Sequence, residues 1–170
     1  MSKPKRRRTR LWFLLLLEAG LLLSIFFGVR LWLDQQALGQ APQFTAQRLE
    51  AGPVSLAQYT DEGPVAIRFW AVWCPNCMRE HDMIDRLATE GHVLTIAMQS
   101  GEEADVAAYL DAESLTMPTI VDDGRIAGQY GVVAVPTTFI VDRDGRIRFR
   151  LLGLPGEWGL RWRLWAARWL

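Results

Sequence analysis

A chain of 170 residues holds one domain of ordinary size and a short appendage, and with half its residues apolar it is not a generally disordered protein. Two cysteines exclude a disulfide-rich secreted scaffold. The 19 basic and 19 acidic residues cancel in total but not locally. Residues 1–10 hold Lys3, Lys5, Arg6, Arg7, Arg8 and Arg10, and from Asp34 onward 12 arginines face 18 acids, a formal charge of −6. An acidic globular part argues against nucleic acid as a partner.

Residues 11–33 are nearly all apolar, interrupted by Glu18, Ser24 and Arg30. A run of this length spans a bilayer as one helix. The basic cluster before it is expected to stay in the cytoplasm, which puts the rest of the chain on the far side. The rival reading is a cleavable signal peptide, with Ala37-Leu38-Gly39 as a small-residue cleavage site. The run exceeds the usual length of a signal-peptide apolar region, which favours a retained anchor. Arg30 can snorkel to the interface, and Glu18 reads as a tolerated carboxyl. The organisation expected is a cytoplasmic tail at 1–10, a transmembrane helix at 11–33, a polar linker at 34–43 and a domain at 44–170.

Within that domain, 44–49 and 54–56 read as short strands around Gly52-Pro53. The β-rich run Val65-Ala66-Ile67-Arg68-Phe69-Trp70 suits a central strand. A helix follows over 74–89, with Ile84, Leu87 and Ala88 as its apolar stripe and Gly91 beyond its end. Residues 93–98 read as a buried strand and 102–112 as a helix with acids in its first turn. A short strand at 119–121 and a short helix at 125–130 come next. Strands at 137–141 and 147–152 flank the turn Asp142-Arg143-Asp144-Gly145, and 157–170 reads as a closing helix. Alternation of this kind gives an α/β sheet with helices on both faces.

The chemistry sits in Trp73-Cys74-Pro75-Asn76-Cys77, which contains both cysteines of the chain. The run follows a strand and opens a helix, where free amides and the helix dipole favour an anion. A thiol there is acidified and becomes a nucleophile. Pro75 suits the first turn, where its missing N–H costs nothing. Cys74 is read as the attacking thiol and Cys77, one turn further in and more buried, as the resolving one. A lone C-x-x-C is also half of a zinc site. His81, four residues after Cys77, makes a metal site of Cys74, Cys77 and His81 the reading from a different class. His92 reads as structural or exposed.

The run from Trp70 to Cys77, together with Val135-Pro136-Thr137 some 60 residues later, resembles the thioredoxin-fold proteins. The resemblance implies a three-layer α/β fold with a mixed central sheet. It also implies a cis Pro136 facing the redox pair, and a Val135 backbone that pairs with substrate. Trp73 would flank the pair on an apolar docking surface, and Pro75 and Asn76 would tune its potential. Anchor, extra N-terminal strands and redox domain together resemble the membrane-anchored TlpA/ResA/DsbE-like group, whose C-x-x-C-x-x-E pattern is met by Glu80 as a carboxylate near the pair that handles protons. The anchor and the regions Ser100-Gly101-Glu102-Glu103-Ala104 and Gly156-Glu157-Trp158-Gly159-Leu160-Arg161-Trp162-Arg163-Leu164-Trp165 are most similar to the ScsD-type proteins of copper-tolerance systems. One departure stands out. Thioredoxin carries a buried Asp six residues before the first Cys, and here that position is Arg68.

The resemblance implies a periplasmic thiol–disulfide oxidoreductase of the bacterial inner membrane. Its partners would be protein thiols and disulfides and a DsbD/ScsB-like membrane electron donor, and its only redox group the Cys74–Cys77 disulfide. A cytochrome c maturation thiol reductase is a narrower alternative. Met78, Met83, Met98 and Met117 show no copper-site spacing and read as gap-fillers. Trp158, Trp162, Trp165 and Trp169 recur at helical spacing on one face. That face is expected to pack on the sheet; the sharper alternative lays it on lipid headgroups beside Arg161, Arg163 and Arg168.

Overall fold

Alternate side chains of one buried strand feed two separate cores, and the rest of the domain is arranged around that strand. The computed structural model describes residues 16–25, 27–28, 39–49 and 51–170. It falls into two compact units, Met1–Gln36 and Ala37–Leu170. In the first, residues 16–25 are helical with exposed side chains. Among the described residues no helix is long and apolar enough to cross a membrane; residues 11–15, 26 and 29–33 of the expected span, and residues 34–38 of the expected linker at 34–43, lie outside the described residues.

The second unit runs β1 (Thr45–Arg48), β2 (Gly52–Ser55), α1 (Leu56–Glu62), β3 (Val65–Trp70), α2 (Pro75–Met78), α3 (His81–Ala88), β4 (Val93–Met98), α4 (Glu103–Ala112), β5 (Thr119–Asp122), α5 (Arg125–Gln129), β6 (Thr137–Val141), β7 (Ile147–Leu152) and α6 (Gly156–Ala166). The strands form one sheet in the order β2-β1-β5-β4-β3-β6-β7. β3 and β5 pair with β4 in parallel, and the β3–β6, β6–β7, β1–β2 and β1–β5 pairs are antiparallel. The sheet is therefore mixed, as expected.

Because strand side chains alternate between faces, Val65, Ile67 and Phe69 join the core that holds Leu56 of α1 and Ile126 and Ala127 of α5. Ala66 and Trp70 point to the opposite face, into the core built with Met83, Ile84 and Leu87 of α3, Val106 of α4 and Leu160 and Leu164 of α6. Arg68 lies between them in register on that second face, buried to 1% exposure.

Three differences from the sequence expectation have physical causes. Residues 56–62 form α1, where a strand was expected to end. The Gln58 carboxamide accepts the Ser55 N–H at 2.8 Å, the S-x-x-Q pattern of a capped helix start. The helix expected over 74–89 is broken in two. Glu80 leaves helical geometry (φ −114°, ψ 2°) to begin α3, because its side chain turns inward to Arg68.

The third difference is a correction. Apart from Trp162, whose ring meets Phe149 of β7, the tryptophan face of α6 does not pack on the sheet. Leu160, Leu164 and Ala167 are buried instead, while Trp158 is 85%, Trp165 62% and Trp169 76% exposed. The helical period was read correctly and its phase was not. Indoles at successive turns would hold the helix too far from the sheet, whereas Leu and Ala let it close.

The two faces of α6 separate in stability. Leu160→Ala removes a fully buried side chain and is expected to cost about 2–5 kcal/mol. Trp165→Ala on the outer face is expected to stay within about 0.5 kcal/mol of wild type. Chemical denaturation of the oxidised protein checks both.

Candidate active site

Beginning four residues after β3, the chain places Cys74 and Cys77 in a disulfide with a Cα–Cα distance of 5.3 Å. Cys74 is the N-cap of α2 with Pro75 as the first helical residue. The backbone N–H of Cys77 donates to the Cys74 Sγ at 3.2 Å. Cys77 is fully buried, and Cys74 keeps a trace of exposure. Pro75 and Asn76, between them, are exposed.

The loop before the pair is held from the end of β4. Ser100 Oγ accepts the Val72 N–H at 3.2 Å and donates to the Met98 carbonyl. The Trp73 indole N–H donates to the Gln99 carbonyl at 2.9 Å. Gln99 supplies that carbonyl from a left-handed backbone conformation, φ 50°. The Trp73 ring itself is 56% exposed, beside exposed Pro75, Asn76 and Met78. Sequence reading named Ser100 only within a family-like region. Its role as a clasp depends on β4 ending beside β3.

The Val135–Pro136 bond is cis. β6 runs antiparallel to β3, with Phe69 opposite Thr137, so Pro136 enters the sheet at the end from which Cys74 leaves it. Val135 packs against the core cluster that contains both cysteines. The Pro136 carbonyl accepts from Gly153 N–H at 2.9 Å. Val135 makes no backbone hydrogen bond among the described residues.

Arg68 and Glu80 form a buried ion pair at 2.8 Å. The other Glu80 oxygen accepts the Gly156 N–H, which opens α6, at 3.0 Å. Arg68 also donates to Thr138 Oγ1 on β6 at 3.3 Å. Burial pulls the Arg68 pKa below its ordinary value, and the Glu80 charge and hydrogen bond oppose that. The expected Glu80 is therefore neither solvated nor free: both carboxylate oxygens are engaged. Arg68, noted in the sequence only as a departure, is its partner. The legible signal was one cation in an otherwise apolar strand, which needs a buried carboxylate.

His81 is buried as well. Its ring stands edge-on to Trp70 at 4.9 Å and to Tyr109 at 5.9 Å, and its Nδ1 is 3.4 Å from the Tyr109 hydroxyl. Among the described residues no three His, Cys, Asp or Glu side chains converge to hold a metal ion, so the geometry gives Cys74, Cys77 and His81 no shared site. His92, partly buried, lies with Nε2 3.0 Å from the Arg168 guanidinium.

Two predictions follow from these buried charges. Arg68→Met strands the Glu80 carboxylate and is expected to cost about 3–5 kcal/mol. Arg68→Met/Glu80→Gln should recover part of that, measured by denaturant unfolding of the oxidised protein. For His81, burial first and then the Arg68 charge press the pKa from 6.5 to about 4, against Asp82. A depressed imidazole pKa means that the unfolded chain binds the extra proton. Its contribution is full above the unfolded value of 6.5 and is lost as pH falls toward 4. His81→Phe is expected to flatten that limb of a stability-versus-pH curve.

Comparison with known proteins agrees with this geometry. Residues 38–150 match the AhpC/TSA family. A thioredoxin-like protein of Haemophilus influenzae is 32% identical over 127 residues, covering 74% of this chain and 75% of that one. The thiol-disulfide oxidoreductase ResA of Geobacillus thermodenitrificans is 31% identical over 159 residues, covering 90% of this chain and 91% of its own. In fold, the chain superposes on a Chlorobium tepidum protein assigned as thiol:disulfide interchange protein DsbE with a TM-score of 0.67 at 23% identity, covering 78% of this chain and 97% of that one.

Proposed function

We propose a membrane-tethered, periplasmic reductase role for this chain, which belongs to the AhpC/TSA family and is a thiol–disulfide oxidoreductase of the ResA/DsbE type. The observation that carries the proposal is the Cys74–Cys77 disulfide, with Cys74 capping α2 beside exposed Trp73. In the reduced protein the Cys77 N–H, now on the Cys74 sulfur, would stabilise a thiolate there. Cys74 attacks one sulfur of a substrate disulfide, forming a mixed disulfide and releasing the first substrate thiolate. Cys77, losing its proton, then attacks the Cys74 sulfur, releases the second substrate thiolate and closes the Cys74–Cys77 disulfide. Two electrons pass to the substrate. A dithiol donor of the DsbD/ScsB kind restores the reduced pair.

Val135 and Pro136 form the ledge for an extended substrate segment, supported by the unpaired Val135 backbone. Trp73 supplies the apolar docking surface, and Pro75 and Asn76, exposed between the cysteines, tune the pair. Glu80 works as a positioning residue: a carboxylate engaged on both oxygens holds the α2–α3 break beside Cys77. The redox pair needs no further cofactor. The anchored arrangement and the ScsD-like regions favour an inner-membrane protein linked to copper tolerance, tethered through residues 11–33.

Cys77→Ser in the full-length chain is expected to accumulate mixed disulfides on Cys74, seen as dithiothreitol-sensitive adducts after acid quenching and alkylation. Cys74→Ser should show none and lose exchange activity. Wild-type disulfide exchange by Cys74→Ser overturns the assignment. An oxidised pair in intact cells that contain the donor overturns the reductase direction.

A further inference from the structure

Trp158 and Trp165 of the last helix, and Trp169 in the turn after it, face away from both cores. At 100° per residue, Trp158, Trp162 and Trp165 fall within a stripe roughly 60° wide. Trp162 is the most covered, with its ring against Phe149 at 5.6 Å and beneath the Arg163 guanidinium at 4.5 Å. The other three are open to solvent. So many exposed indoles at one end of the chain form a surface that asks for an occupant.

We infer that this stripe lies in the headgroup layer of the bilayer that carries the N-terminal apolar run. The inference rests on the membrane-tethered reading above and deepens it. The first argument is where the tether enters the domain. Ile147 N–H donates to the Gly39 carbonyl and Ala41 N–H to the Gly145 carbonyl, so the incoming chain lies along the start of β7. One residue further on, the Arg148 guanidinium donates to the Leu170 carbonyl at 2.6 Å. The tether and the tryptophan-bearing C-terminal end thus meet the same few residues of β7.

The second argument is reach. Only residues 34–38 separate the apolar run from Gly39, and fully extended they span about 20 Å. On the tethered reading, that length is the upper bound on how far Gly39 lies from the bilayer surface.

The third argument is chemistry. Indoles settle at the membrane–water interface because they join an apolar body to a polar N–H. Residues 156–170 carry three arginines against the single Glu157 side chain, in a part of the chain that is otherwise strongly acidic. Arg161 is committed to Glu90 and Glu157. Attraction to lipid therefore comes from the indoles more than from net charge, and an aromatic rather than a polybasic signature is the one to look for.

The test uses the full-length chain in vesicles of phosphatidylethanolamine and phosphatidylglycerol, with and without bromine on the acyl chains. Wild type is compared with W158S/W165S/W169S. These side chains lie outside both cores, and an unchanged rate of disulfide reduction by dithiothreitol confirms folding. If the triple variant fails to fold, Trp158→Ser alone serves. The tryptophans of the apolar run are common to both proteins and cancel in the difference. The emission difference between wild type and variant is expected to be at least halved by brominated lipid. If the protein resists an alkaline carbonate wash but that difference is unaffected by bromine, the lipid seat is overturned, the tether stands and the stripe is a protein-docking face. If the protein washes off, the tether fails and the inference falls with it.

Discussion

An arginine in the middle of a buried strand is an expensive choice, and much of this domain is arranged to meet its cost. Arg68 loses its hydration on the face of the sheet that also packs α3 and α6. Its charge is tolerable there only with a carboxylate in contact and the remaining lone pairs occupied. Glu80 provides the carboxylate and the Gly156 N–H takes its other oxygen. One ion pair thereby ties together β3, the junction of α2 and α3, and the start of α6. It also explains why the helix that carries the cysteines is so short. The backbone must leave helical geometry at Glu80 for its side chain to turn inward.

The redox pair inherits its geometry from this frame. Cys74 emerges at the end of β3, and the antiparallel pairing with β6 brings Val135 and Pro136 to the same end of the sheet. Parallel pairing with β4 brings Gln99 and Ser100 alongside, where they hold the loop before Cys74. Three strands thus contribute to one site, β3 and β4 at their carboxyl ends and the antiparallel β6 at its amino end. The buried neighbours add a constraint of their own. Burial and the Arg68 charge disfavour the charged form of His81, so it packs as an aromatic ring against Trp70 and Tyr109 and not as a cation or a ligand.

The last helix shows what a periodic pattern leaves open. Trp158, Trp162, Trp165 and Trp169 share one face, but Leu160, Leu164 and Ala167 share another, and both repeat at helical spacing. The larger residues offer more apolar area, yet the smaller ones let the helix approach the sheet closely enough to exclude water. The exposed indoles are then left to face a different medium, at the end of the domain where residues 39–41 meet the start of β7.

The alternation of elements, the redox pair at a helix start and the hairpin turn were legible in the sequence because each is local, whereas the distant Val-Pro was legible only through the family resemblance. They depend on the spacing of a few residues and on backbone preferences that act within a turn or two. Tertiary structure decided the partnerships across long separations. Arg68 and Glu80 lie on different elements, and nothing local says that a strand cation and a helix acid will meet. The clasp of Ser100, the aromatic box of His81 and the phase of α6 belong to the same class. Each follows from which face of the sheet an element covers, and that choice is made by packing volume and by the cost of leaving a buried charge alone.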